Sequence, residues 1–76
     1  MKIYGHLIVH NEFPDCLRAI ESIYPICDEI LVVHDGSHKP LIDFLEARKK
    51  IYNMKVFYNP FVTLREQRQF LLGQTP

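Results

Sequence analysis

Ile30-Leu31-Val32-Val33-His34-Asp35-Gly36-Ser37 decides the reading of this chain. Four aliphatic residues in succession run into a turn that carries an imidazole, a carboxylate, a glycine and a hydroxyl. A strand that is apolar at every position is buried on both faces, as in parallel sheets covered by helices. In open α/β sheets, ligands bind outside the carboxyl ends of the strands. Chemistry is therefore expected at His34, Asp35, Gly36 and Ser37. Leu7-Ile8-Val9-His10-Asn11-Glu12 has the same form, an apolar run ending in a polar cluster. Parallel neighbours bring both clusters to one edge of a sheet.

Outward from these runs, the chain alternates strand and helix. Lys2 to Val9 reads as the first strand, Asp28 to Val33 as the second and Lys55 to Tyr58 as the third. Pro14 suits the first turn of a helix, where a missing N–H is harmless, and Asp15 complements the positive end of its dipole. Leu17, Ile20, Ile23 and Tyr24 recur at helical spacing until Pro25 ends the helix. Pro40 marks a second start. Leu41, Phe44, Leu45, Arg48, Ile51 and Tyr52 trace one stripe, and Glu46 with Lys50 forms a favourable (i, i+4) pair. Asn53 closes this helix, and Asn59-Pro60 is a turn signal. Thr63 with Glu66 reads as a capping box for a last helix whose face is Leu64, Gln67, Phe70 and Leu71. Gly73 and Pro76 end it. The order β-α-β-α-β-α implies a mostly parallel sheet with right-handed crossovers, a three-layer α/β arrangement.

The chain has 76 residues, enough for a single small domain. A domain of this size buries only roughly 60% of the surface of its unfolded chain. Nine Lys and Arg balance nine Asp and Glu, so no basic field exists to attract nucleic acid. A hydrophobic content of 47% excludes disorder. No run is long enough for a transmembrane span or signal peptide. Cys16 and Cys27 are then expected to be reduced thiols, acting as small buried apolar groups in a cytoplasmic protein.

Three groupings could carry chemistry. His10-Asn11-Glu12 with His34-Asp35-Gly36-Ser37 supplies donors, acceptors and a close backbone approach, enough to read a base and a ribose. The same residue types also build ordinary turns. His10, His34 and His38 near Asp35 could hold zinc, although the spacing fits no finger. His6, inside the first strand, reads as a packed strand residue. Arg65 and Arg68 suit phosphate, because guanidinium binds oxygens bidentately. The fingerprints of dinucleotide-binding folds, P-loops, serine-hydrolase elbows and C-x-x-C redox centres are absent from the sequence.

Taken in order, these segments resemble the N-terminal portion of a family 2 glycosyltransferase with the GT-A fold. Val9-His10-Asn11-Glu12 matches the family's K-N-E or H-N-E strand end. Cys16-Leu17-Arg18-Ala19-Ile20-Glu21-Ser22-Ile23 is similar to its C-L-x-S-I helix. Asp28 to Ser37 resembles D-E-I-x-V-V-D-x-G-S, and Arg68-Gln69 its R-N or R-Q. The resemblance covers nearly the whole chain. It implies one truncated domain over residues 1–76, a βαβαβα half of a Rossmann-like GT-A fold.

The resemblance also implies a seat for the nucleotide of a UDP- or GDP-sugar. His10, Asn11 and Glu12 would cradle the nucleoside, position 34 would meet the base, and Arg68 would lie near base and phosphates. The family places Asp at position 34, whereas this chain has His34, with its carboxylate one residue later at Asp35. Gly36 and Ser37 complete the motif. The family's D-x-D motif, which takes Mg or Mn in a full-length enzyme, and its catalytic base follow later than residue 76. The chain alone is thus expected to be inactive. The alternative is a non-catalytic nucleotide-binding or oligomeric scaffold domain of the same fold. In the family's sheet the first strand is interior and pairs on its far side with a fourth strand that these 76 residues lack; the further expectation is that the isolated chain self-associates through that bare edge, or that the sequence is a fragment of a longer enzyme.

Overall fold

The structure is a computed structural model that describes residues 2–10, 13–36, 38–60 and 63–76, with residues 13 and 14 described by backbone alone. Among the described residues it is mixed α/β, with three strands and three α-helices. Strand β1 (Tyr4–Val9) leads to helix α1 (Phe13–Ile23), and Pro25 tightens the helix end into a 3₁₀ turn over Tyr24–Ile26. Strand β2 (Glu29–His34), helix α2 (Lys39–Arg48), strand β3 (Met54–Tyr58) and helix α3 (Leu64–Gln74) follow.

All pairing is parallel, in the order β1-β2-β3. Register sets Leu7 beside Val32 and Val32 beside Val56, and it sets Ile8 beside Val33 and Val33 beside Phe57. Because strand side chains alternate, these rows face opposite sides. The first row packs with Cys16 and Ile20 of α1 and with Leu41, Phe44 and Leu45 of α2. The second packs with Phe70 and Leu71 of α3. Helices α1 and α2 therefore share one face, as two successive right-handed crossovers require, and α3 covers the other. Ile30, Leu31, Val32 and Val33 are all buried, which is why β2 is apolar at every position. Each such side chain contributes about 1.5–3 kcal/mol relative to exposure.

Local signals locate the element ends. The capping box forms, with Thr63 Oγ1 accepting from the Glu66 amide at 3.2 Å and donating to Glu66 Oε1 at 3.1 Å. Asn53 does not close helix α2, which ends at Arg48; it stands just before β3 with φ of 53°, a left-handed conformation that Asn tolerates well, and its side-chain amide donates to the Asp28 carbonyl. The start of β1 is fixed by Asp28, whose carboxylate accepts from the Ile3 amide at 2.6 Å. Cys16 is buried and Cys27 half-buried, and they form no disulfide among the described residues.

Several further local expectations are corrected, the first being Gly73, which lies inside α3 and does not end it, since that helix runs to Gln74. Helix α2 ends at Arg48, so Lys50 leaves the helical spacing and Glu46 pairs with Lys49 instead, at 2.9 Å. Ile51 falls outside the helix for the same reason and is exposed. Leu64 opens α3 rather than facing its core side, and it too is exposed. His6 is not packed inside: it lies exposed on the edge strand, with Nε2 2.7 Å from Thr75 Oγ1. The Thr75 hydroxyl donates to the Leu71 carbonyl at 2.8 Å, so it accepts the Nε2–H of His6.

Candidate functional site

The parallel sheet brings the carboxyl ends of all three strands to one edge, where the polar clusters stand. His10 follows β1 directly and Asp35 follows β2 directly, and Val9 is paired with His34 in register. His10 Nδ1 lies 2.5 Å from Asp35 Oδ2. An ionised carboxylate can only accept, so the proton of this bond sits on His10 Nδ1. The Asp35 side chain is 8% exposed and the His10 side chain 53%. The dyad therefore has a covered carboxylate and a half-exposed imidazole.

His34 is buried at the end of β2. Its Nδ1 accepts the Gly36 amide at 3.2 Å, so a neutral ring carries its proton on Nε2. The ring lies tilted against Tyr58 with centroids 5.7 Å apart. The His34 carbonyl accepts from the Asn59 amide at 2.9 Å. Gly36 has φ of 84°, and a Cβ there would stand 2.7 Å from Tyr58 Cε1. Tyr58 is 61% exposed, so its ring can swing aside, and the backbone conformation is the larger barrier to substitution. Gly36→Ala is expected to destabilise the fold by about 1–2 kcal/mol through the left-handed conformation alone. Adding Tyr58→Ala should recover little of it in urea unfolding; full recovery would show that the ring contact dominates.

A second polar unit ties α3 to this edge. The Asn59 side-chain amide donates to Gln67 Oε1 at 2.9 Å, and Gln67 Nε2 donates to the Asn59 carbonyl at 3.2 Å. Gln67 is buried, and this exchange satisfies both ends of its amide. Tyr58, Asn59 and Gln67 belong to the edge although the motif reading did not include them. Their signals were the turn dipeptide Asn59-Pro60 and a glutamine on the inner face of α3.

The structure thus joins His10 and Asp35, and it places His34 and Gly36 beside them. Arg68 stands apart from these bonds. It lines a groove of about 510 Å³ with His6, Leu7, Ile8, Leu64 and Leu72, between α3 and the outer side of β1. Asn11, Glu12 and Ser37 lie outside the described residues. His38 precedes α2 in extended backbone, without a side-chain capping bond. Among the described residues no three His, Cys, Asp or Glu side chains gather as a metal ion would require. No described helix is long and apolar enough to cross a membrane. No protein-family model matches the chain, and neither a curated protein nor a solved structure matches it.

Proposed function

We propose that this chain is the nucleotide-binding N-terminal part of an inverting glycosyltransferase of the GT-A type. It would seat a UDP- or GDP-sugar whose sugar is transferred to an acceptor hydroxyl, and it would have no transferase activity alone. The observation that carries the reading is the His10–Asp35 bond, which knits two parallel strand ends into one polar edge. That is the edge where open α/β sheets take ligands. In this reading Gly36 lets the backbone approach the nucleoside. His10 meets it with the half-exposed ring that Asp35 orients. Arg68 is assigned to the diphosphate by the resemblance alone. Mg or Mn belongs to the D-x-D motif of a full-length enzyme, and no step is routed through a metal here.

One observation favours the second reading, a non-catalytic domain of the same fold. His34 occupies the position where the resemblance implies a base-reading carboxylate, and its Nδ1 is already engaged by the Gly36 amide. An NMR titration of the labelled chain with UDP and then GDP, with and without manganese, separates a working nucleotide seat from a scaffold domain that has lost it. The first reading expects shifts centred on His10 and on His34 to Gly36, independent of manganese. Asp35→Ala should then weaken binding about tenfold, the size of one lost charge-assisted hydrogen bond. Unshifted spectra at millimolar nucleotide would abandon the nucleotide seat.

A further inference from the structure

His34 closes β2 at the carboxyl edge of the sheet, and only 8% of it is exposed. Its Nδ1 is occupied as the acceptor of the Gly36 amide. While that bond stands, the ring carries its hydrogen on Nε2 and has no acceptor left. Nε2 itself makes no hydrogen bond among the described residues. Every fully covered side-chain nitrogen or oxygen in the non-exposed residues of the described set has a partner. Nε2 has none, so it belongs to the small part of the ring that reaches the surface. His34 thus presents one fixed donor, on a buried ring, where the strands end.

A ligand that brings an acceptor completes this arrangement, because buried polar side chains are normally hydrogen-bonded. The exposed Tyr58 ring lies directly beside His34. An exposed aromatic ring is a face on which a planar base can stack. Asp35, one residue on, does not restore an acceptor to position 34, since its carboxylate is covered and holds His10. A planar ligand at this edge therefore meets a donor at position 34, where a carboxylate would have offered an acceptor.

We infer that His34 selects the base of the bound nucleotide through its exocyclic keto oxygen. The inference rests on the nucleotide-seat reading and deepens it. Uracil and guanine carry that oxygen as O4 and O6, where cytosine and adenine carry an amino group. The other acceptors of uracil recur on cytosine, and those of guanine recur on adenine. A donor can therefore prefer UDP and GDP over CDP and ADP only through the keto oxygen. Against cytosine or adenine, donor faces donor. His34 in this role is a specificity-determining residue that reads a different atom from the ring N–H a carboxylate would take.

The probes are UDP, CDP and UDP methylated at N3, titrated into the labelled chain and followed by NMR. UDP should bind about tenfold tighter than CDP, as one hydrogen bond is exchanged for an unpaired donor. The methylated nucleotide keeps its keto oxygen and should bind within about twofold of UDP. GDP against ADP should repeat the order, and the tighter of UDP and GDP names the base. His34→Asn and His34→Asp each leave an oxygen to accept the Gly36 amide, so the turn should survive both. His34→Asn keeps a donor and should keep the order. His34→Asp offers an acceptor instead; it should lose the preference for UDP over CDP and bind the methylated nucleotide more weakly than UDP. Equal affinity of the parent chain for UDP and CDP, or rejection of the methylated nucleotide, overturns the inference and leaves the nucleotide seat in place. An unchanged order in His34→Asp overturns it too. No binding of any of these nucleotides at millimolar concentration overturns the seat and the inference together.

Discussion

Leu31→Ala is expected to lower the unfolding free energy by about 2–5 kcal/mol, the usual range for a fully buried leucine. A chain of this length commands only about 4–11 kcal/mol, at roughly 0.05–0.15 kcal/mol per residue. The single change would thus remove a large part of its stability. Leu31 has no exposed surface, and it packs on the α3 face with Val33 and Leu71. That face is covered by one helix, so little material is at hand to collapse into the cavity. Leu72→Ala removes the same atoms one residue from Leu71, at an exposed position. It should stay within about 0.5 kcal/mol of the parent. Urea titrations of the two variants, with comparable slopes, make the comparison. A loss under about 1 kcal/mol for Leu31→Ala would mean that β2 is not the buried centre described above.

Gln67→Leu is expected to have the next largest effect, about 2–3 kcal/mol. The substitution keeps the volume but removes the acceptor of the Asn59 amide and the donor to the Asn59 carbonyl. Leaving a buried polar group unpaired costs about 1–3 kcal/mol. The consequence should reach the candidate site, because the Asn59 backbone amide holds the His34 carbonyl. Under the proposed nucleotide-binding reading, affinity for UDP or GDP should fall in Gln67→Leu although Gln67 is not assigned a ligand contact. A double-mutant cycle with Asn59→Ala is the direct measure. The pair should couple by about 1 kcal/mol or more, in the range for residues in contact. Additive losses would dissolve the Asn59–Gln67 unit as an explanation.

Much of the fold was legible in the sequence. The unbroken apolar run of β2 is possible only for a strand covered on both faces, and the rows on either side of it show that cover. Pro25 and the Thr63–Glu66 box placed helix ends because their signals are local. Periodicity failed where it was carried past a helix end, at Ile51, and at the first residue of one, Leu64. Local sequence cannot report where a neighbouring element stops covering a face. His6 was misplaced for a related reason: alternation shows that it shares a face with Ile8, not that the face thins out toward the edge of the sheet.

The candidate site was legible as far as topology reaches. Two polar strand ends in a parallel sheet must share an edge, and His10 and Asp35 do. Which atoms would bond there was not legible. That depends on the direction of each side chain as it leaves its strand, and Asp35 lies one residue beyond the position where a carboxylate was expected. The Asn59–Gln67 exchange was hidden further still, because a turn residue and a helix residue meet only after α3 has docked.

β2 belongs to both crossover units, β1-α1-β2 and β2-α2-β3, while β1 and β3 are not paired with each other. Assembly of the sheet therefore has two routes of similar length, each closing a single loop around one helix before the other strand joins. Substitutions confined to β1 or β3 slow one route and leave the other open, so they act chiefly on the rate of unfolding. Substitutions in Ile30 to Val33 burden both routes at once and slow the forward reaction. The central strand is thus expected to govern the folding rate as well as the stability, and chevron plots of variants at Ile30 to Val33 against variants in β1 and β3 would check it.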